Sequence, residues 1–430
     1  MTVGAAPPDI VIVGAGAAGL ATAIFAAREN PDASIMCLDG AARLGAKILV
    51  SGGARCNVTN REVSERDFWG GSPRTVRNVL RGFPADRAAR FFEDLGVALH
   101  EEEDGKLFPD TNRARTVLDA LLSETRRLDV DLRPGARVVT VRRDDRPDVP
   151  FTLALANGGE LCARALVLAT GGRSLPKSGS DGTGYGLARV LGHRLVDTTP
   201  ALAPLVLNGE RHVALAGRSH PATLTLPDEH GKPTVLTGPL LWTHFGVSGP
   251  VALNMSRHWH RARLAGASID VRLSLLPGET HASIDAWLVE QARARPKARV
   301  ATVLATRLPA AVAERWAAEG NVGEKTLAQL TREARLALAD RLVDTPLDVR
   351  DSRGYTYAEV TAGGVPLDEI DARTMESRVC DGLYLVGEIL DVDGRLGGFN
   401  FQWAWSSAWV AGRALGRTSR VRSVPVGQAR

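Results

Sequence analysis

Runs of apolar residues divide the chain into recognisable pieces. Ile10–Val13 is an unbroken β-favouring run, which predicts a strand buried on both faces. Gly14-Ala15-Gly16-Ala17-Ala18-Gly19 follows, then an Ala-rich stretch to about Arg28 with the composition of a helix. Ser34 to Leu38 predicts a second strand, closed by Asp39. Arg74 to Leu80, Ala85 to Leu95 and Arg115 to Leu128 have helical spacing. Arg137 to Arg142 and Phe151 to Leu155 predict paired strands, and Ala165 to Leu168 a buried strand that ends in Ala169-Thr170-Gly171-Gly172. Between residues 193 and about 345 the character changes. Short strand-like runs (Val213 to Leu215, Ala222 to Leu226, Ile269 to Leu275) lie among Pro and Gly, and helical stretches begin near Ile284, Ala298, Ala310 and Lys325.

Strand, glycine turn, helix, strand and acid, in that order, are what a dinucleotide site needs. Gly14 allows the tight turn, Gly16 lets backbone approach a pyrophosphate, and Gly19 lets helix and strand pack closely. Ala15, Ala17 and Ala18 in the same turn are expected cofactor contacts, and open N–H groups at the helix start favour phosphate. Asp39 is placed to accept a ribose hydroxyl, with Gly40 beside it. A signal peptide or membrane span does not fit: Asp9 precedes the run without a basic region, and Arg28-Glu29-Asn30 ends it too soon. Gly179 to Gly184 has the look of a second phosphate cradle.

Charge and cysteine content narrow the class. The 430 residues carry a net charge of +4, with acids and bases interspersed. Most of the basic residues are Arg, and no nucleic-acid-binding motif is present, so no nucleic-acid partner is expected. The basic tail from Arg417 to Arg430 is expected to fray. Cys37, Cys56, Cys162 and Cys380 form no close pair, which argues against a zinc ribbon or redox disulfide and leads to the expectation of a reduced, cytoplasmic setting. No metal site is expected: His258-Trp259-His260 lacks further nearby ligands, and Asp391 and Asp393 lack the closing carboxylate of a calcium loop, Gln402 standing there instead.

Residues 40 to 60 form a glycine-studded segment with no clear period, which predicts a functional loop. Its stretch Leu44-Gly-Ala-Lys47-Ile-Leu-Val-Ser-Gly-Gly53-Ala54-Arg55-Cys56-Asn57-Val-Thr-Asn60 resembles the signature of the BaiN/RdsA-type NAD(P)/FAD-dependent oxidoreductases, also described as aminoacetone-oxidase-like flavoproteins. Ala54 stands where that pattern has a third glycine. Leu241 to Pro250, Glu359 to Val365, and Gly397-Gly398-Phe399-Asn400-Phe-Gln402 match further family segments, with Phe399 in place of a Tyr. Gly179 to Gly184 also resembles a family segment, which implies a helix cap or part of the substrate-side wall instead of a phosphate cradle. The resemblance implies FAD as cofactor. It implies contacts from Lys47, Gly53, Arg55, Cys56 and Asn57, from Val138 or Val139 near the adenine, and from Ala169, Thr170 and Gly171 along the diphosphate. Gly387 and Glu388 would meet the ribityl chain, and Gly397, Gly398, Phe399, Asn400 and Gln402 the flavin, with a helix N-terminus aimed at the charge of the reduced ring.

The fold class expected is α/β. A Rossmann-like FAD-binding domain of the two-dinucleotide-binding-domain flavoprotein type would be split into residues 1–192 and 347–430, around an inserted β-rich then helical domain at 193–346. The function implied is hydride transfer through the flavin to a small-molecule substrate, by reduction of an activated, enone-type C=C bond with NADH or NADPH as transient donor. A small-amine oxidase, an RNA-modifying flavoprotein and a non-catalytic flavin-binding protein are the alternatives. There is one convincing dinucleotide fingerprint, so the nicotinamide lacks an evident domain of its own. Cys56, Asn57 and His244 are the candidate catalytic residues, and the residues do not disclose an oligomeric state.

Overall fold

A computed structural model describes residues 6–146, 148–227 and 232–422. The end of the basic tail, residues 423–430, therefore lies outside the described residues. The chain forms two compact units, one made of residues 1–199 and 359–430 and the other of residues 200–358.

The first unit is built on a five-stranded parallel sheet in the order Leu383–Leu385, Ala165–Leu168, β1 (Ile10–Val13), β2 (Ile35–Asp39), Asp131–Pro134. All of β1 is buried, as its unbroken apolar run requires. Helix α1 (Ala17–Glu29) crosses from β1 to β2 with nearly all of its side chains buried. It packs closely on the C-terminal helix Phe399–Arg422, because Gly412 and Gly416 lack Cβ atoms that would lie 2.7 Å from Phe25 Cβ and 2.6 Å from Glu29 Cβ. A three-stranded antiparallel sheet, Val138–Arg143, Phe151–Leu155 and Glu160–Ala163, stands beside this core.

The second unit has a seven-stranded antiparallel sheet centred on the hairpin Ser219–Leu226 and Thr234–Thr243. Helices Pro250–Ala265, His281–Ala294, Ala310–Glu319 and Arg332–Val343 contribute to its own core around Trp242, Trp259 and Trp316. This unit ends at Ala358 rather than near 346, since Val349–Ser352 is an edge strand paired with Leu205–Leu207. Its start is Pro200 rather than 193.

Two local expectations change. The segment 40 to 60 contains a helix, α2 (Ala46–Ala54), whose last turn is broken at Ser51, Gly52 and Gly53. Val213–Leu215 is a short 3-10 turn, not a strand. Among the described residues no helix is long and apolar enough to cross a membrane, and no group of three His, Cys, Asp or Glu side chains is arranged to hold a metal ion.

Candidate active site

The three glycines of the first turn have separate jobs. Gly14 has φ +108°, and a Cβ on it would lie 2.3 Å from Ala169 O. A Cβ on Gly19 would lie 1.8 Å from Gly14 O, so this glycine sets the closeness of α1 to the turn. A Cβ on Gly16 would meet nothing within 4 Å, and Gly16 opens on a cavity. Gly16 caps α1 without a side-chain hydrogen bond. The first N–H groups of the helix thus have no capping side chain, the condition under which a helix start receives an anion. Asp39 closes the turn from β2: Ala15 N–H donates to its Oδ2 at 2.8 Å and Ala41 N–H to its Oδ1 at 2.7 Å. Burial raises its carboxyl pKa, opposed by these two N–H groups and by the Arg137 charge. Each oxygen keeps a lone pair for a hydroxyl.

The cavity wall carries two polar clusters. In the first, Arg137 donates to Thr183 Oγ1 at 2.8 Å and pairs with Asp181, beside Gly40 and Val138. Ser180 Oγ is buried here without a hydrogen-bond partner, so this wall is prepared for a polar ligand. In the second, Lys47 reaches from α2 to pair with Glu388 and donates to Ser174 Oγ at 2.6 Å. Glu388 also accepts from Ser174 Oγ at 2.7 Å and from Thr361 N–H at 2.9 Å. Glu359 lies on this wall as well. It is exposed to the cavity yet densely enclosed by protein, and this desolvation pushes its carboxyl upward while the Lys47 charge pulls it down. Sequence reasoning assigned Glu359 no role, although it opens the Glu359 to Val365 segment.

The cavity brings together Gly14, Gly16, Ala17, Ala18, Asp39, Gly40, Lys47, Val138, Ala169, Thr170, Gly171, Gly387, Glu388 and Asn400. An elongated dinucleotide fits this wall: a glycine opening, an uncapped helix start, a carboxylate beside it and an orphaned buried hydroxyl. The remaining expected residues are not on it. Ala15 and Gly19 shape the turn from behind, and Val139 points outward, 49% exposed. Gly53 lies in the broken turn of α2, and Arg55 stacks on Phe108 and pairs with Glu102. The Cys56 thiol is fully buried and pushed up to about 12 by desolvation, so it is packed rather than reactive. Asn57, oriented to satisfy its neighbours, donates to Thr59 O at 2.8 Å and accepts from Gly398 N–H at 3.0 Å. That bond turns the Gly398 N–H away from any ligand. Gly397 instead presents its carbonyl to Asn60 at 3.1 Å. Phe399 is fully buried in the core, and Gln402 is held by Thr59 Oγ1 at 2.6 Å and Phe83 O at 2.7 Å. His244 belongs to the second unit.

A family model described as the HI0933-like protein Rossmann domain matches residues 8–414. The chain is 36% identical over 410 residues to the ribosomal RNA dihydrouridine synthase of Escherichia coli, covering 95% of this chain and 98% of that one. It is 33% identical over 406 residues to the 3-dehydro-bile acid delta(4,6)-reductase of Clostridium scindens, covering 94% and 98%. Among solved structures, a point mutant of the FrdA subunit of E. coli quinol fumarate reductase aligns with TM-score 0.52 at 20% identity, over 98% of this chain and 72% of that one. The 3-ketosteroid delta1-dehydrogenase of Sterolibacterium denitrificans aligns with TM-score 0.50 at 12% identity, over 96% and 100%. These two share the fold. With a glycine-turn cavity in a Rossmann unit and a match along almost its whole length, the chain belongs to the HI0933-like Rossmann-domain family of FAD-dependent oxidoreductases.

Proposed function

We propose that the protein reduces a C=C bond conjugated to a carbonyl group, with NADH or NADPH as electron donor. The observation that carries this reading is the pair of near full-length relatives. The names of both describe saturation of such a bond: the ring double bond of uracil, conjugated to a ring carbonyl, and the unsaturation of a 3-keto steroid acid. When bound, FAD supplies the hydride chemistry. Gly16 and the start of α1 would take its diphosphate, Asp39 a ribose hydroxyl, and Ala169 to Gly171 the passage between them. Lys47 and Glu388 would line the flavin side, fixed by their bond to each other and by the buried Ser174 behind them. A second reading of the substrate, uridine within RNA, is favoured by the 36% identity to a ribosomal RNA dihydrouridine synthase. The dispersed charge that argued against an RNA partner does not decide the matter, because steering by a groove needs local charge rather than a large net excess.

The test is an anaerobic reduction of the holoprotein by NADH or NADPH, followed by mixing with cyclic enones, unmodified ribosomal RNA transcripts or small amines. Reoxidation by an enone or by RNA supports the reading, and the better acceptor names the substrate class. Bleaching of oxidised flavin by an amine, with no response to either acceptor, would instead make the protein an amine oxidase.

A further inference from the structure

We propose that Glu359 is the acid that delivers the proton in this reduction. The assignment rests on the reductase reading above. Saturating a conjugated C=C bond takes a hydride at the β-carbon and a proton at the α-carbon, and the second needs a donor on the cavity wall. The acids on that wall are Asp39, Asp181, Glu359 and Glu388. Asp39 holds two backbone N–H groups, and Asp181 holds Arg137 together with the Thr183 hydroxyl and N–H. Glu388 holds Lys47, Ser174 and the Thr361 N–H. Only the Glu359 carboxyl has no hydrogen bond or ion pair among the described residues. Neither a cysteine, a histidine nor a tyrosine lies on the wall to compete with it.

The second cluster contains two carboxyl groups and one cation. Lys47 closes on Glu388, which also holds Ser174 and the Thr361 N–H, so Glu359 is the member of the cluster with no donor of its own. Desolvation raises the Glu359 carboxyl pKa, which favours the protonated form that an acid needs. The strand Val360–Gly364 that follows it is fixed: Thr361 Oγ1 accepts from Arg173 N–H at 2.8 Å and Ser174 N–H at 3.1 Å. The carboxyl projects from a rigid rim and is not tied to it.

The step balances as follows. The substrate π bond breaks and two C–H bonds form. The β-carbon receives a hydride, with its electron pair, from the reduced cofactor, and the α-carbon receives the Glu359 proton. Bound FAD would supply that electron pair and the nicotinamide donor would restore it, while the Glu359 carboxylate recovers its proton from water.

The test uses the FAD-loaded protein, Glu359→Gln, and Glu359→Asp as the conservative variant. Three readouts are taken: flavin content and absorption spectrum, the protonated-carboxyl band in a pH-difference infrared spectrum, and the two half-reactions by anaerobic stopped flow. Glu359→Gln is expected to keep FAD and its spectrum, to be reduced by NADH or NADPH within about twofold of wild type, and to lose a titrating carboxyl band. Its reoxidation by an enone or uridine-containing RNA should slow by about 10² to 10⁴, with Glu359→Asp in between. A Glu359→Gln protein reoxidised as fast as wild type overturns the assignment, as does an infrared spectrum with no band that depends on Glu359. Failure of the wild type itself to be reoxidised by any conjugated acceptor would overturn the reductase reading instead, and this proposal with it.

Discussion

Substituting the three glycines of the first turn should separate folding from cofactor binding. Gly16 sits at φ −85° and ψ −163°, a conformation open to any residue, with free space where a Cβ would go. Gly16→Val therefore costs the apoprotein little, within about 0.5 kcal/mol, and the smaller entropy of its unfolded chain can add roughly 0.4–1 kcal/mol of stability. The new side chain stands in the cavity, where the diphosphate must approach. Gly19→Ala is the opposite case. Its Cβ would lie 1.8 Å from Gly14 O, a backbone atom that cannot step aside without moving the turn. Overpacking of this kind costs roughly 1–3 kcal/mol or more, against about 1 kcal/mol gained in helix propensity. Gly14→Ala adds the strain of φ +108° to a 2.3 Å clash with Ala169 O. The assay is thermal unfolding of apoprotein and of protein with added FAD, together with flavin content after purification. A ligand at a hundred times its Kd stabilises by about 2.7 kcal/mol, which in a unit this large raises Tm by several degrees. Wild type should show that rise. Gly16→Val should unfold like wild-type apoprotein and show none of it, whereas Gly14→Ala and Gly19→Ala should unfold several degrees lower even without FAD. A Gly16→Val protein with wild-type flavin content, or one as destabilised as Gly19→Ala, would refute the division of labour.

Three further outcomes follow from the geometry. Glu388→Ala leaves Lys47, Ser174 and the Thr361 N–H without their shared acceptor, and FAD affinity should fall by about 10- to 100-fold, corresponding to roughly 1.5–3 kcal/mol for a charged hydrogen bond; equilibrium titration of the apoprotein checks this, and unchanged affinity in a folded variant rules it out. Ala54 is held at φ +65°, where a Cβ costs roughly 1–2 kcal/mol, so Ala54→Gly should stabilise the protein by up to about 1 kcal/mol in denaturant unfolding. In the second unit, burial pushes His258 and His260 down to about 4 from 6.5. With native values below the unfolded ones, the unfolded state binds more protons between those limits, so stability present above pH 6.5 is lost as pH falls toward 4, by roughly 3 kcal/mol per histidine at pH 4. His260→Gln should flatten the fall of Tm with acid, and an unchanged slope would show that His260 does not drive it.

The parts of the site legible in the sequence are those made by neighbours in the chain. The glycine turn, α1 and Asp39 lie within one βαβ unit, and their spacing alone states the geometry. The strand that ends in Ala169 to Gly171 was readable for the same reason: its apolar run stops where the small residues begin. Helix α2 was hidden, because its glycines look like loop punctuation although they only break its last turn. Glu359 was hidden for a different reason. Its freedom depends on where Lys47 spends its charge, and that is settled by Glu388, 341 residues away from Lys47. Spacing carries no record of such a partnership. Cys56, Asn57 and Gln402 stand off the cavity, because small and polar residues beside a cofactor motif can equally be spent on holding the chain around it: Asn57 bonds Thr59 and Gly398, Gln402 bonds Thr59, and Cys56 is buried.

Their bonds show how the cavity wall is held. Asn57, Thr59 and Asn60 from the stretch after α2 bond to Gly398, Gln402 and Gly397 at the start of the C-terminal helix, and Trp405 Nε1 donates to Val58 O at 2.9 Å. The same helix grips the segment that carries Glu388: Trp403 Nε1 donates to Gly387 O at 3.2 Å, and Ser407 Oγ accepts from Gly387 N–H at 3.0 Å. One helix therefore ties the Lys47 side of the wall to the Glu388 side through buried polar bonds, each costing roughly 1–3 kcal/mol if a partner is removed. Bonds made mostly behind the cavity wall, with Gly387 and Trp403 as the members that reach it, thereby hold the Lys47 side and the Glu388 side in place against each other.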